Sequence, residues 1–186
     1  MDNYSNIINI IQCLENIEDY VIIKKANYFP KYYDFDDIDI FCQSREPFIK
    51  KLQFNLFKQV GDQFGVTVTT KTYNTHVDIF PPNTHRLNLR FDVYDSFPYQ
   101  EFFVNPSYFL YILHNKKTVE YDKIKIMIPD ELDDIILRFF EWIEKPKKTK
   151  HLLYTKKNLK DCSSFIKTIR RYTNIPSRFV ERAGCF

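Results

Sequence analysis

The chain has 186 residues, 44% hydrophobic and 17% aromatic, enough to bury a core in one domain or in a core with a small appendage. No apolar run approaches the ~20 residues of a membrane-spanning helix, and with only Gly61, Gly65 and Gly184 there is no Gly-rich loop of the P-loop, Rossmann or kinase kind. The net charge of +3 hides an asymmetry: residues 1–144 hold 15 Lys/Arg and 22 Asp/Glu (−7), residues 145–186 hold 12 and 2 (+10), so an acidic body precedes a basic segment.

The opening "MDNYSNIINI" has neither the basic start nor the small-residue cleavage site of a secretory signal, so a cytoplasmic location is expected. Cys13, Cys42, Cys162 and Cys185 form no CxxC or Cys/His pattern and read as reduced thiols. "SNIINIIQCLENI" puts Ile7, Ile8, Ile11 and Leu14 at helical spacing behind Ser5 as a cap. "YVIIKKA" reads as a short strand, "NYFPKYYDFD" as a loop and "DIDIFCQ" as a second strand. Ser44 opens a helix with Phe48, Leu52, Leu56 and Val60 four residues apart, and Gly61 and Gly65 bracket its end.

Three β-like runs follow, "VTVTTKT", "HVDIF" and "RLNLRFDVY", whose short connections predict antiparallel hairpins, and "KIKIMI" is a further strand candidate. "DELDDIILRFFEWIEK" then spaces Leu132, Ile135, Ile136, Phe139 and Ile143 on one helical face with Asp130 as cap. "KNLKDCSSFIKTIRRY" repeats that pattern with Leu159, Cys162, Phe165, Ile166 and Ile169. The expected fold class is α/β (α+β), a mixed β-sheet core flanked by helices over residues 1–128, with a basic C-terminal helical extension, 129–186, packed on it.

The chemistry concentrates in "YYDFDDIDIFCQ", with Asp34, Asp36, Asp37 and Asp39 in six positions. Alternation along a strand puts Asp37, Asp39 and Phe41 on one face and Ile38, Ile40 and Cys42 on the core face. Two carboxylates two residues apart, with backbones roughly 6.6 Å apart, can converge on one hard cation such as magnesium. A third ligand should come from another strand. Asp92, which shares a face with Asn88, Arg90 and Tyr94, is the first choice, and Asp78 in "HVDIF" is the rival. An acidic pair on an exposed strand face is also ordinary without any ion.

The order helix, strand, loop, strand with "DIDIF", helix, then later strands with a single Asp resembles the DNA polymerase beta-like nucleotidyltransferase superfamily over about residues 5–95. The resemblance implies a nucleotidyltransferase core in which Asp37, Asp39 and Asp92 hold two Mg2+ or Mn2+ ions and carry catalysis. "EKPKKTKHLLY" resembles a Lys/His segment that follows the core helix in small members found among polysaccharide-synthesis genes. One departure stands out: the family places Gly-Ser or Gly-Gly after the first strand to hold phosphates, and here the segment is "IIKKANYFP". Lys24, Lys25 and Asn27 are the side chains able to substitute there, joined from the tail by Lys150 and His151. Arg90 can pair with Asp92 or meet phosphate, while His76 and His85 read as structural or incidental.

The implied activity is metal-dependent transfer of a nucleoside monophosphate from a nucleoside triphosphate to a hydroxyl or phosphate acceptor: a sugar phosphate, a nucleic-acid end, a protein hydroxyl or a small antibiotic-like molecule. The alternative is a catalytically degenerate member that binds nucleotide or nucleic acid through "KPKKTKHLLYTKKNLK" and "IRRY", with Tyr154 and Tyr172 stacking on bases or finishing a core. No membrane partner is expected, and the sequence is silent on oligomeric state.

Overall fold

The computed structural model describes Ser5 and residues 7–185, which divide into two compact units. The first comprises residues up to Ser96 together with Lys116–Ile128; the second comprises Phe97–Asn115 and Pro129 onward. The chain therefore leaves the first unit at residue 97, returns for one hairpin and leaves again, so residues 97–115 group with the C-terminal helices and not with the sheet.

The first unit is built on a five-stranded mixed sheet. Its strands are β1 (Tyr20–Ile22), β2 (Asp36–Cys42), β3 (Gly65–Thr70), β4 (Asn74–Phe80) and β5 (Leu89–Tyr94), in spatial order β1-β2-β5-β4-β3. The β3/β4 and β4/β5 pairs are antiparallel hairpins, as the short connections predict, and β1 is antiparallel to β2. At the centre β2 and β5 run parallel, joined through α2 (Arg45–Val60) and the β3/β4 hairpin, the kind of long crossover that parallel neighbours require. Ile38, Ile40, Val77, Ile79, Leu89, Phe91 and Val93 bury one face of the sheet into a core with Phe48, Leu52 and Leu56 of α2. That burial is the main force fixing register, since a one-residue slip would turn every one of these side chains toward the opposite face.

In this unit two details depart from the sequence expectation. The first helix, α1, is a single turn, Ile10–Cys13, capped by Asn9, whose Oδ1 accepts from Ile11 N and Gln12 N. Ser5 is not its cap: its backbone bridges to Tyr32, and Ile8 N donates to Tyr32 Oη at 2.8 Å, so the segment before Asn9 is held by the loop ahead of β2. The hairpin of β6 (Lys117–Tyr121) and β7 (Ile124–Ile128) includes a strand that the sequence pattern did not announce.

The second unit is helical, with α3 (Pro106–His114), α4 (Glu131–Glu144), α5 (Thr149–Asn158), α6 (Cys162–Tyr172) and α7 (Ser177–Arg182). Asp130 caps α4 as expected, its Oδ1 accepting from Leu132 N. The helix expected over 157–172 is two pieces, because Asp161 intercepts Ser164 N and starts α6 afresh. A cluster of aromatic rings, Phe97, Tyr99, Phe102, Tyr108 and Phe140, fills the interior, and Tyr172 stacks on Tyr108 with centroids 4.8 Å apart. Tyr172 thus packs within its own unit, and Tyr154 lies under the Arg138 guanidinium at 4.0 Å. Lys145 and Lys148 of the basic segment pair with the buried Glu141 of α4. No helix among the described residues is long and apolar enough to cross a membrane.

Candidate metal centre

The four aspartates of "YYDFDDIDIF" have different tasks. Asp34 Oδ1 accepts from Asn88 Nδ2 at 2.8 Å, and Asp36 Oδ2 accepts from Tyr33 N at 2.8 Å and Tyr28 Oη at 3.1 Å. These two tie down the loop entering β2. Asp37 and Asp39 lie one and three residues further on, where the strand's alternation turns them to the face opposite the Ile38 and Ile40 core.

The parallel register decides what they meet. Asp39 is paired with Asp92 and Asp37 with Arg90, while β4 continues the rows with His76 opposite Asp92 and Asp78 opposite Arg90. Asp37, Asp39 and Asp92 each offer a carboxylate oxygen, and the three oxygens lie within 4.8 Å of one another. Asp78 is not in that group. Its two oxygens take a bidentate grip from Arg90, at 2.6 and 2.8 Å, so the rival third carboxylate is neutralised by its own partner. The same grip holds the Arg90 guanidinium above its ordinary pKa.

Three carboxylates this close repel, and the surroundings only partly compensate. Lys24 Nζ stands 3.0 Å from Asp39 Oδ2. His76 Nε2 and Asn74 Nδ2 both lie 2.9 Å from Asp92 Oδ1. The Tyr94 hydroxyl stands 3.5 Å from Asp39 Oδ1 and 3.4 Å from Asp92 Oδ2. Asp37 is exposed, while Asp92 is only 9% exposed. Asp92 therefore titrates above the usual carboxylate range, first because burial disfavours its charge and then because Asp39 and Asp37 repel it, with His76 and Arg90 pulling the other way.

The donor set fits a hard divalent cation: three ionisable oxygens and no sulfur. An octahedral Mg2+ places neighbouring ligands about 3 Å apart and opposite ones about 4.2 Å apart, so three oxygens within 4.8 Å of one another would draw together on binding a shared ion. A cation would also relieve the repulsion that raises Asp92.

The remaining expected residues are placed as follows. Lys24 follows β1 with a φ of 53°, so the left-handed backbone that glycine enters most readily is taken up here by lysine. Lys25 lies with Nζ 5.6 Å from the Phe29 ring, and Asn27 is exposed. Lys150 is exposed on α5, and His151, 7% exposed, is packed inside the helical unit. His85 is exposed. His76 and Asn74 are the site residues that the sequence reading passed over; the period-2 pattern of "NTHVDIF", laid against "RLNLRFDVY" across its short turn, is the signal that puts them on the Asp92 face. A separate cavity of about 420 Å³, lined by residues that include Arg45, Lys50, Thr75 and Asp95, shares none with the carboxylate group.

No protein-family model matches the chain, and no curated protein matches it. Among solved structures, one described as a "putative nucleotidyltransferase from H. pylori" aligns over 95% of this chain and 86% of its own, with 9% identity and a TM-score of 0.37. JHP933 from Helicobacter pylori aligns over 95% of this chain and 84% of its own, with 9% identity and a TM-score of 0.45. Both scores are below 0.5, and the chemistry rests on the carboxylate geometry.

Proposed function

We propose that the chain is a divalent-metal-dependent nucleotidyltransferase that moves a nucleoside monophosphate from a nucleoside triphosphate to a hydroxyl or phosphate acceptor. One observation carries the reading: the parallel β2/β5 register gathers Asp37, Asp39 and Asp92 within 4.8 Å on the face away from the core. Setting three carboxylates together and burying one of them costs folding free energy, which a bound cation would offset.

Asp37, Asp39 and Asp92 would hold two Mg2+ or Mn2+ ions, which when bound neutralise phosphate charge and make the acceptor oxygen more acidic. In the transfer, the acceptor oxygen forms a bond to the α-phosphorus while the bond from that phosphorus to the bridging oxygen breaks and pyrophosphate departs. Asp92, the least exposed of the three, would be the base that takes the acceptor's proton. Lys24, 3.0 Å from Asp39, is the first cation in line for the triphosphate, with Lys25 and Asn27 on the same loop.

The test is incubation of the purified chain with each α-labelled nucleoside triphosphate and Mg2+ or Mn2+, followed by detection of released pyrophosphate and of label on an acceptor. Parent activity that disappears in folded Asp37→Asn and Asp39→Asn variants supports the reading. Salt-sensitive nucleic-acid binding that survives both changes, with no turnover by the parent under any metal, defeats it.

A further inference from the structure

Asp92 is held differently from its two companions. Its Oδ1 accepts a hydrogen bond from Asn74 Nδ2 at 2.9 Å and lies 2.9 Å from His76 Nε2, an ion-pair contact when the imidazole is protonated. Both groups come from β4, two residues apart, so the strand's alternation puts them on one face, and the antiparallel register brings His76 directly opposite Asp92. The other oxygen, Oδ2, faces the Tyr94 hydroxyl at 3.4 Å, which itself lies 3.5 Å from Asp39 Oδ1. Those distances exceed the 2.7–2.8 Å usual for a hydroxyl donor, so the hydroxyl bridges the two carboxylates only weakly.

An aspartate carboxyl turns easily about its terminal torsion. With Asp37 and Asp39 repelling it, an untethered Asp92 would swing its charge away from them. The Asn74 hydrogen bond and the His76 contact on one oxygen oppose this by holding the carboxylate plane. Their hold is little diluted by water, because the His76 and Asp92 side chains are 11% and 12% exposed.

We propose that His76 and Asn74 are positioning residues of the metal centre: by gripping Oδ1 of Asp92 they present its Oδ2 to the cation shared with Asp37 and Asp39. The inference rests on the metal-centre reading above and extends it to residues that touch neither cation nor nucleotide. Loss of such an outer support lowers metal affinity about 10–100-fold.

The test titrates Mn2+ alone into the full chain, without nucleotide, and reads the free ion by electron paramagnetic resonance, with circular dichroism to confirm folding. The parent is expected to bind. His76→Leu and Asn74→Leu should each weaken binding about 10–100-fold, and His76→Gln, whose amide can still donate to Oδ1, should stay within about threefold of the parent. Folded His76→Leu and Asn74→Leu proteins with parental affinity overturn the positioning role and leave the metal centre standing. A parent that takes up no Mn2+ overturns both. Should His76→Leu fail to fold, Asn74→Leu and His76→Gln decide the matter: parental affinity in the first, or a loss in the second as large as that expected for leucine, overturns the inference.

Discussion

Replacing Asp92 with asparagine should stabilise the metal-free protein and abolish its stabilisation by metal. At 4.8 Å and an effective dielectric of about 20, two carboxylates repel by about 3.5 kcal/mol, and Asp92 faces two of them. Lys24 on Asp39, with His76 and Asn74 on Asp92, offsets most of this, leaving a net penalty of about 1 kcal/mol. In Asp92→Asn the amide oxygen keeps the Asn74 donor and the His76 contact, and the amide nitrogen can donate toward Asp39, so no polar group is orphaned. The variant's Tm in EDTA at neutral pH should therefore rise by about 2–4 °C for a chain of this size. The sign with pH follows from Asp92's raised folded pKa. Its ionisation subtracts stability above that pKa, and the penalty fades as pH falls through the folded value, vanishing below the unfolded value of about 3.9. The gap between variant and parent should shrink over the same interval. With Mn2+ at tenfold its Kd the parent gains about 1.4 kcal/mol, or about 3–6 °C, the variant gains little, and the order of the two melting temperatures reverses. Differential scanning calorimetry over a pH series, with and without Mn2+, measures all of this. A folded Asp92→Asn protein that melts below the parent in EDTA, or that shows the parent's shift with Mn2+, would falsify the reasoning.

Asp78→Asn should leave the Mn2+ titration within about threefold of the parent, because Asp78 is committed to Arg90, while lowering stability by about 1–3 kcal/mol in urea denaturation through loss of a charge-assisted pair. Lys24→Met should strengthen binding of Mn2+ in the absence of nucleotide by removing the cation that competes for Asp39, and weaken triphosphate binding; isothermal titration with each ligand reads the two opposite signs. In the helical unit, Tyr108→Phe removes the 2.7 Å bond from the tyrosine hydroxyl to the buried Asp133 and should cost about 1–3 kcal/mol of stability in chemical denaturation, with the Mn2+ titration unmoved.

The sequence by itself determined the elements whose signal is local. Alternation in "DIDIF" and "RLNLRFDVY" gave the inward and outward faces of β2 and β5, and four-residue spacing gave α2, because these periods follow from backbone geometry alone. Asp130 as a cap is legible for the same reason. The one-turn α1 and the strand β6 were not, since each depends on partners, Tyr32 and β7, outside its own segment, while the break at Asp161 comes from a local cap on Ser164 N that the helical spacing masks. At the site, the face of Asp37 and Asp39 could be read from the chain, but the choice of Asp92 over Asp78 could not: both alternate correctly, and both sit on the carboxylate face. Register separated them, because the parallel pairing that buries Ile38 against Phe91 also sets Asp39 beside Asp92 and leaves Asp78 one row away on Arg90. Which carboxylate joins a cluster is thus decided by the packing of the opposite face, a long-range property that no local pattern encodes.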